Sequence, residues 1–500
     1  MQPRALLTAL HDAAVQGAAP FSRTQHAVRQ WCEDQQVEPD TGIHVFALGK
    51  AAPAMMAGAL DALHSLALSA QVHGGIVVSH HLPDSDTWHG VQLPPTIERV
   101  TGDHPVPGPA SLAAADAIDD AIARISAGDI ALVLLSGGTT ALCAAPIAAL
   151  SQTVGDADAA QAQVANLAHT LLEGGLAIHE MNAIRRRVLR FGAGRLAVAL
   201  HQRGARQIAT FAISDVIGDD PAVIGSGPCT PDPFDDATFL ALLDAYDLRS
   251  QLQRAISTVL GIAGSHQPPA VPAATHPVFA NSTYTIVARN ADAVQSLADA
   301  AHAHGVANVF IDDVPLEGEA AQLGDTLARR ALALATRTPR NHTALLVCGG
   351  EPVVNLQTTT ARAMQFGEDD DARLEEYGET GAPLELRASA ADEPMKGGRM
   401  QLLAMSAALS LDAAAARGNA DAWRIQLLAA GTDGRDGPTD AAGAIIDAAT
   451  PALARRHGRT PESDIETGRS YYPLDASDAL LRTGPTGTNV MDVVAVLITG

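Results

Sequence analysis

The sequence predicts an α/β chain built as two α/β domains of unequal size. Three observations carry this. Short apolar runs recur along the chain, several ending in glycine or aspartate and followed by Ala/Leu-rich segments of helical length. That alternation builds a parallel sheet with helices on both faces. The 500 residues are too many for one ordinary core. Hydrophobic residues make up 47% but aromatics only 3%, so the core has to be made of Ala, Leu, Val and Ile, which suits parallel strands under Ala-rich helices.

Taken in order, the N-terminal stretch MQPRALLTALHDAAVQGAAP has no long apolar run and reads as an amphipathic helix, not a signal peptide. No stretch is long and apolar enough to span a bilayer, so a cytoplasmic location is the expectation. Ile43–Leu48 reads as a strand, Gly49-Lys50 as its turn and Ala51–Leu66 as the helix after it. Further strands are expected at Gly75–Ser79, at Ile130–Leu135 running into Ser136-Gly137-Gly138, and at Gln207–Ser214 running into Asp215. Gly264–Val278 (GSHQPPAVPAATHPV) has a linker's composition. Beyond it come Tyr284–Val287, Val309–Ile311, Ala344–Cys348 and Trp423–Ala429. The domain plan is residues 1–263, connecting elements 264–343, and a second domain 344–500. The last carries an acidic insertion over 356–395, read as an exposed surface segment.

The net charge of −23 argues against a nucleic-acid surface and against docking on an anionic membrane. A small anionic ligand stays compatible with it, because local cations and backbone N–H groups override net charge. The four cysteines are far apart, with no C-x-x-C pair, and read as reduced, buried thiols. Only two of the basic residues are lysines, Lys50 and Lys396, each beside glycine. Either mutational bias left two survivors, or a compact ammonium is needed where a guanidinium does not serve.

Gly49-Lys50 is no Walker A loop, since Ala51 follows the lysine. A lysine at the carboxyl end of a parallel strand nevertheless stands where ligands bind in such sheets. Its plain alternative is a surface lysine in a turn. Ser136-Gly137-Gly138-Thr139-Thr140 between a strand and a helix is a candidate phosphate cradle: glycines admit close approach, hydroxyls and the helix start add donors. A simple helix cap is the alternative. Asp215 ends an apolar strand, a usual place for a metal-holding or basic carboxylate, while Asp219 and Asp220 read as caps. Gly102–Pro107 presents His104 on a rigid turn. Lys396-Gly397-Gly398-Arg399 opens a helix as a second candidate anion site. Gly431–Asp440 carries Asp433 and Asp436 as a carboxylate pair for Mg²⁺ or base work, or as a plain turn. Thr483–Val490 is a polar loop or a hairpin.

The order of these motifs resembles the glycerate 2-kinase family, whose C-terminal domain is called MOFRL and whose members are often labelled hydroxypyruvate reductases. The matching stretches are FALGKAAPAM, GDHPVPGPAS, LLSGGTTALCAAP, NAIRRRVLRFGAGRLA, ISDVIGDDPAVIGSGPCTPDP, VCGGEP, GGRMQ, GTDGRDGPTDAAGAIID and TGPTGTNVMD. The resemblance implies ATP- and Mg²⁺-dependent phosphorylation of D-glycerate at O2. It implies an N-terminal Rossmann-like three-layer α/β/α domain and a smaller mixed α/β MOFRL domain. By motif, Lys50, Arg399 and Asp215 would be catalytic. Ser136, Gly137, Gly138, Thr139, Thr140, Gly397 and Gly398 would bind nucleotide phosphate. Asp433, Asp436, Arg185, Asn290 and Glu351 would be substrate or metal candidates, with Asp215 and Asp433 for the metal. The partners are ATP and a small hydroxy acid, and a homodimer stays open.

The chain departs from the family pattern at Thr139, which stands for a glycine. It departs again at Arg186 and Arg187 in place of Lys-His, at Gly192 in place of Lys, and at Met400 and Leu402 in place of Asn and Glu. If these touch the acceptor, its identity changes. A kinase for another hydroxy acid, a non-catalytic relative and a hydroxypyruvate reductase are the alternatives. The last lacks a G-x-G-x-x-G after a strand.

Overall fold

A computed structural model describes residues 2–173, 178–246, 271–354 and 393–500. The acidic insertion lies outside the described residues except for its last three positions. The chain divides into two compact units, 19–289 and 1–18 with 290–500.

In unit 19–289 the strands are β1 (Ile43–Leu48), β2 (Val72–Ser79), β5 (Ile97–Thr101), β6 (Ile130–Leu135), β7 (Gln207–Ile213) and β8 (Ser282–Ala288), with a small ribbon of β3 (Thr87–Trp88) and β4 (Val91–Gln92). The six form one parallel sheet in the order β5-β2-β1-β6-β7-β8. Every residue of β1 and β6 is buried, as expected of strands covered on both faces. The helix Ala52–Ser65 carries Pro53 in its first turn, where proline is well suited, and buries Met55, Met56, Ala59, Leu60 and Leu63 at helical spacing. The strand order reverses between β1 and β6. The turns after these two strands therefore flank the crevice in which open α/β sheets bind their ligands.

The proline-rich stretch at 264–278 precedes β8, and β8 pairs with β7. It is thus a connection inside this unit. The units part at 289/290 instead, against sequence boundaries of 263 and 343, because strand pairing and not composition decides which side a segment joins.

In the other unit β9 (Asn308–Ile311), β10 (Ala344–Gly350), β11 (Ile425–Gly431), β12 (Gly443–Asp447), β13 (Leu480–Leu481) and β14 (Asp492–Ile498) form a mixed sheet. The order is β13-β12-β11-β14-β10-β9, antiparallel throughout except for β10 with β9. The helix Arg399–Ala416 buries Met400 through Ala408 without interruption, which makes it a core helix. The helix Pro3–Gly17 joins this unit: Leu6, Leu7, Leu10, Ala14 and Val15 are buried, and Thr488 Oγ1 donates to the Ala18 carbonyl at 2.8 Å. Its amphipathic spacing foretells a buried face but not which core that face covers. No helix among the described residues is long and apolar enough to cross a membrane. All four cysteines are buried and unpaired.

Candidate active site

In unit 19–289 the turns after β1 and β6 interlock. Lys50 N donates to Gly137 O at 2.9 Å, Ser136 N to Leu48 O at 3.0 Å, and Ala51 N to Ser136 Oγ at 3.1 Å. Gly49 has φ 126°, and a Cβ there would overlap Ser136, so the crossing of the two turns requires glycine. Lys50 is exposed, while Ser136 is 1% exposed. Gly138 has φ 85°; a Cβ on it would stand 3.1 Å from Lys50 Cγ and 3.1 Å from His104 Cδ2. A Cβ on Gly137 would overlap Asp215 Oδ2. Lys50, His104, Asp215 and the two glycines therefore share one place at the carboxyl edge of the sheet.

Burial, with Lys50 and His80 adding to it, pushes the His104 imidazole down to about 4, so it is neutral at ordinary pH. The sequence presents His104 on a rigid turn, but nothing in the local string shows that this turn folds over Gly138.

The hydroxyls of the cradle are not turned to a ligand as the sequence suggests. Thr139 Oγ1 donates to Leu48 O and Ser136 O, each at 2.7 Å, and is buried. Thr140 Oγ1 pairs with Ser226 Oγ at 2.9 Å. The helix after the glycines is a single turn, Thr139–Leu142, so it offers no helix-dipole site. What remains for a phosphate is the bare backbone of Gly137 and Gly138 and the Lys50 ammonium.

The departures from the family pattern have structural reasons. Arg186 and Arg187 are almost fully buried and flank the Asp232 carboxylate at 3.4 and 3.3 Å; Arg187 reaches Asp236 at 2.5 Å and Phe234 O at 2.6 Å. A Cβ on Gly192 would stand 2.6 Å from Arg186 O, so a lysine does not fit beside this arginine. Thr139 acts as a clasp between the two site turns. Met400 is 0% and Leu402 6% exposed, both inside the apolar core of the other unit. None of these side chains is displayed to an acceptor. Arg185 differs from its neighbours. It lines a small cavity with Pro107, Thr140 and Val188 and has no hydrogen-bond or ion-pair partner among the described residues. Burial alone holds its guanidinium below the usual value.

In the other unit Arg399 opens its helix and forks onto Asp492, Nε to Oδ2 at 2.6 Å and Nη2 to Oδ1 at 3.3 Å, while Nη1 reaches Glu351 at 2.9 Å. Burial opposes its charge, but Asp492 and Glu351 outweigh burial and hold the guanidinium above its ordinary range. Burial also pushes Asp492 up to about 6 against the pull of Arg399. Asp492 begins β14 and was not singled out from sequence. The available signal was a carboxylate heading an otherwise wholly apolar strand, which has to find a partner once buried.

Three expectations are corrected here. Asp436 accepts from Met400 N at 3.1 Å and Gln401 N at 2.7 Å, so its carboxylate caps the helix and is not open to metal or substrate. Burial, reinforced by Asp492, pushes it up to about 7. Gly397 and Gly398 pack so closely on Ser470 and Asp436 that a Cβ would overlap either. The anion at this helix start is thus the protein's own carboxylate, not a nucleotide phosphate. Asn290 donates to Val490 O at 2.8 Å and Asp492 O at 2.9 Å. It positions the start of β14 and with it Asp492. Lys396 lies 3.8 Å from the centroid of the Tyr471 ring, a cation–π contact. The Thr483–Val490 segment is a loop whose polar groups turn inward: Thr486 Oγ1 donates to Thr432 O at 2.6 Å, and Asn489 Oδ1 accepts from Met491 N at 3.1 Å.

For Mg²⁺ the remaining candidates are Asp215 and Asp433. Among the described residues neither belongs to a group of three ligand-type side chains within 4.8 Å. This donor set still fits Mg²⁺, which is commonly held by one or two carboxylates together with substrate phosphates and water. Asp215 meets that description best, since its carboxylate lies against Gly137.

Comparison with known proteins agrees with this geometry. The family model described as a domain of unknown function, DUF4147, matches residues 6–261, and the MOFRL family model matches 378–492. A protein of Agrobacterium vitis, provisionally named a hydroxypyruvate reductase, is 32% identical over 91% of this chain and 98% of its own. The glycerate 2-kinase of Pyrococcus horikoshii is 28% identical over 97% of this chain and 95% of its own. The crystal structure of a glycerate kinase from Thermotoga maritima superposes with a TM-score of 0.72 at 25% identity, covering 99% of both chains. With a parallel sheet carrying Lys50 at its switch point and a separate mixed-sheet MOFRL unit, this chain belongs to the glycerate 2-kinase family.

Proposed function

We propose that this chain transfers the γ-phosphoryl group of ATP to the 2-hydroxyl of D-glycerate, giving 2-phosphoglycerate, with Mg²⁺. The observation that carries the reading is the meeting of Lys50 with the Gly137-Gly138 turn at the point where the strand order of the parallel sheet reverses. Phosphoryl transfer runs through a loose transition state with negative charge on the transferring oxygens, so it needs positioned cations and donors more than a strong base. Lys50 supplies a compact ammonium beside bare backbone. Neutral His104 adds a ring to that corner without adding charge. Mg²⁺, held by the Asp215 carboxylate and phosphate oxygens, would supply the remaining neutralisation. Arg185, which has no carboxylate partner among the described residues, is suited to an acceptor's carboxylate. Arg399 is held rigid by Asp492 and Glu351 and adds a second permanent cation to the chain's chemistry.

Because Met400, Leu402, Thr139, Arg186 and Arg187 are all committed inside the fold, they give no reason to move the acceptor away from glycerate. The reductase reading finds no support in the site. The nearest dinucleotide-like string, Gly192-Ala193-Gly194-Arg195-Leu196-Ala197, follows the helix Ile178–Val188 and not a strand.

The test is ATP with D-glycerate, coupled through enolase so that only the 2-phosphate is read, with hydroxypyruvate and NADH as a parallel arm. Lys50→Met is expected to lower kcat by about 10²–10³-fold with an unchanged circular dichroism spectrum. Absence of ADP release with D-glycerate, or full activity in the Lys50→Met protein, would sink the proposal.

A further inference from the structure

We propose that His44, His73 and Asp129 form a binding site for one zinc-class divalent ion at the amino-terminal edge of the parallel sheet. His44 is the second residue of β1, His73 the second residue of β2, and Asp129 directly precedes β6. β1 lies between β2 and β6, so the topology sets these three strand starts side by side. Each residue offers one ligand atom, and the three atoms lie within 4.8 Å of one another.

The placement has further signs of a built site. His44 is 1% and Asp129 7% exposed. His44 Nε2 stands 3.0 Å from Asp129 Oδ2, and that same oxygen accepts from Ser126 N at 2.8 Å, which fixes the carboxylate. Asp129 Oδ1 is left without a hydrogen bond among the described residues. A Cβ on Gly42 would overlap both Asp129 Oδ1 and His73 Nδ1. The two atoms therefore converge on a face that only glycine leaves bare. His44 Nδ1 is buried and has no hydrogen-bond partner among the described residues. A neutral imidazole carries one proton, and nothing but Asp129 holds it on Nε2. Moved to Nδ1, it leaves the Nε2 lone pair free for a cation.

The donor set selects the ion. Two imidazole nitrogens and one carboxylate oxygen suit Zn²⁺ and its neighbours, with one position left for water, whereas Mg²⁺ and Ca²⁺ prefer oxygen throughout. Tetrahedral ligation at about 2.0–2.2 Å brings ligand atoms to roughly 3.5 Å apart, so the cluster has to contract. His73 is exposed and can supply that movement. The proton left on Nδ1 has no acceptor among the described residues, which argues for micromolar and not nanomolar affinity. Lys50 and Ser136 lie at the opposite ends of β1 and β6. The ion would staple three strand starts and leave phosphoryl transfer alone.

The experiment uses the full chain stripped with EDTA. Zn²⁺ is titrated calorimetrically, Co²⁺ serves as the spectroscopic probe, and thermal melting is followed with and without Zn²⁺. The wild type is expected to bind one ion per chain, to show the intense visible Co²⁺ band of a tetrahedral site, and to melt higher with Zn²⁺. His73→Ala changes an exposed side chain and spares the His44–Asp129 contact. It is expected to weaken Zn²⁺ binding at least about tenfold and to lose the Co²⁺ band, with phosphoryl transfer unchanged. Asp129→Asn is the second variant, expected to lose the ion as well. If the wild type binds no ion, or if His73→Ala binds it as well as the wild type does, the proposal is wrong and the cluster is only a structural hydrogen bond.

Discussion

Gly138 shows how one residue couples backbone geometry to chemistry. Its φ of 85° lies in the left-handed region, and a side chain would meet both Lys50 and His104. Gly138→Ala is expected to cost about 1–2 kcal/mol in backbone strain and to displace the Lys50 stem. We expect a drop of a few degrees in Tm and, because charge placement is sensitive to about an ångström, at least about a tenfold loss in kcat/KM for ATP. Paired melting and steady-state measurements check it; an Ala variant with wild-type kinetics would show that the lysine's position does not matter. At this scale the sequence singled out Lys50, Gly137, Gly138 and Asp215 through their place after apolar strands, and the fold brings the four together. It misjudged the hydroxyls, because a threonine after two glycines looks the same whether its Oγ1 points out or back to Leu48 O. It also left Asp492 unnamed, since that carboxylate's partner is 93 residues away.

At the scale of elements, the helix Arg399–Ala416 carries Arg399 at its first position and is pressed against the helix Ala320–Arg337. Gly324 marks the closest approach: a Cβ there would overlap Leu403 O, a backbone atom that cannot swing aside. In an open helix Gly→Ala stabilises by roughly 0.5–1 kcal/mol. Here the clash wins, because separating two packed helices costs about 1–3 kcal/mol. Gly324→Ala is therefore expected to lower stability in urea melts and to reduce kcat through a shift of Arg399, with little change in KM. A stabilised variant would mean that the two helices relax freely. The strands were legible because fully buried parallel strands are continuous apolar runs; β1 and β6 run as the sequence indicates. β12 was not, since Gly443–Asp447 sits in a string of small residues whose strand character comes from pairing with β11.

On the scale of the whole chain the surroundings of His104 and those of Asp436 should answer pH with opposite sign. In unit 19–289, His104 is held below its free value of 6.5, at about 4, mainly by burial. The unfolded chain then binds more protons between those values, so this contribution is present above pH 6.5 and is lost as pH falls through about 4. In the other unit, burial raises Asp436 from 3.8 to about 7. The folded state there binds the extra proton, so this contribution is present below pH 3.8 and is lost as pH rises through about 7. Hydrogen exchange resolved by peptide, run from pH 4 to 7.5 and corrected for intrinsic rates, should show protection near His104 rising and protection near Asp436 falling. His104→Gln should flatten the first trend and Asp436→Asn the second. Parallel trends around His104 and around Asp436 would contradict the assignment.

By itself the sequence determined the α/β class, the parallel sheet, the Lys50 turn and the family, because these rest on local periodicity, strand-end chemistry and the order of motifs. Tertiary structure decided which polar groups remain for a ligand. Hydrogen-bond capacity is spent where the fold brings partners together. Thr139, Asp436, Asn290, Arg186 and Arg187 are consumed by distant backbone and carboxylates, whereas Arg185, one position away from a buried pair, has no ion-pair partner among the described residues. Tertiary structure also put the N-terminal helix on the core of the C-terminal half, a choice that an amphipathic pattern leaves open. In the same way it set His44, His73 and Asp129 side by side, which no spacing along the chain reveals.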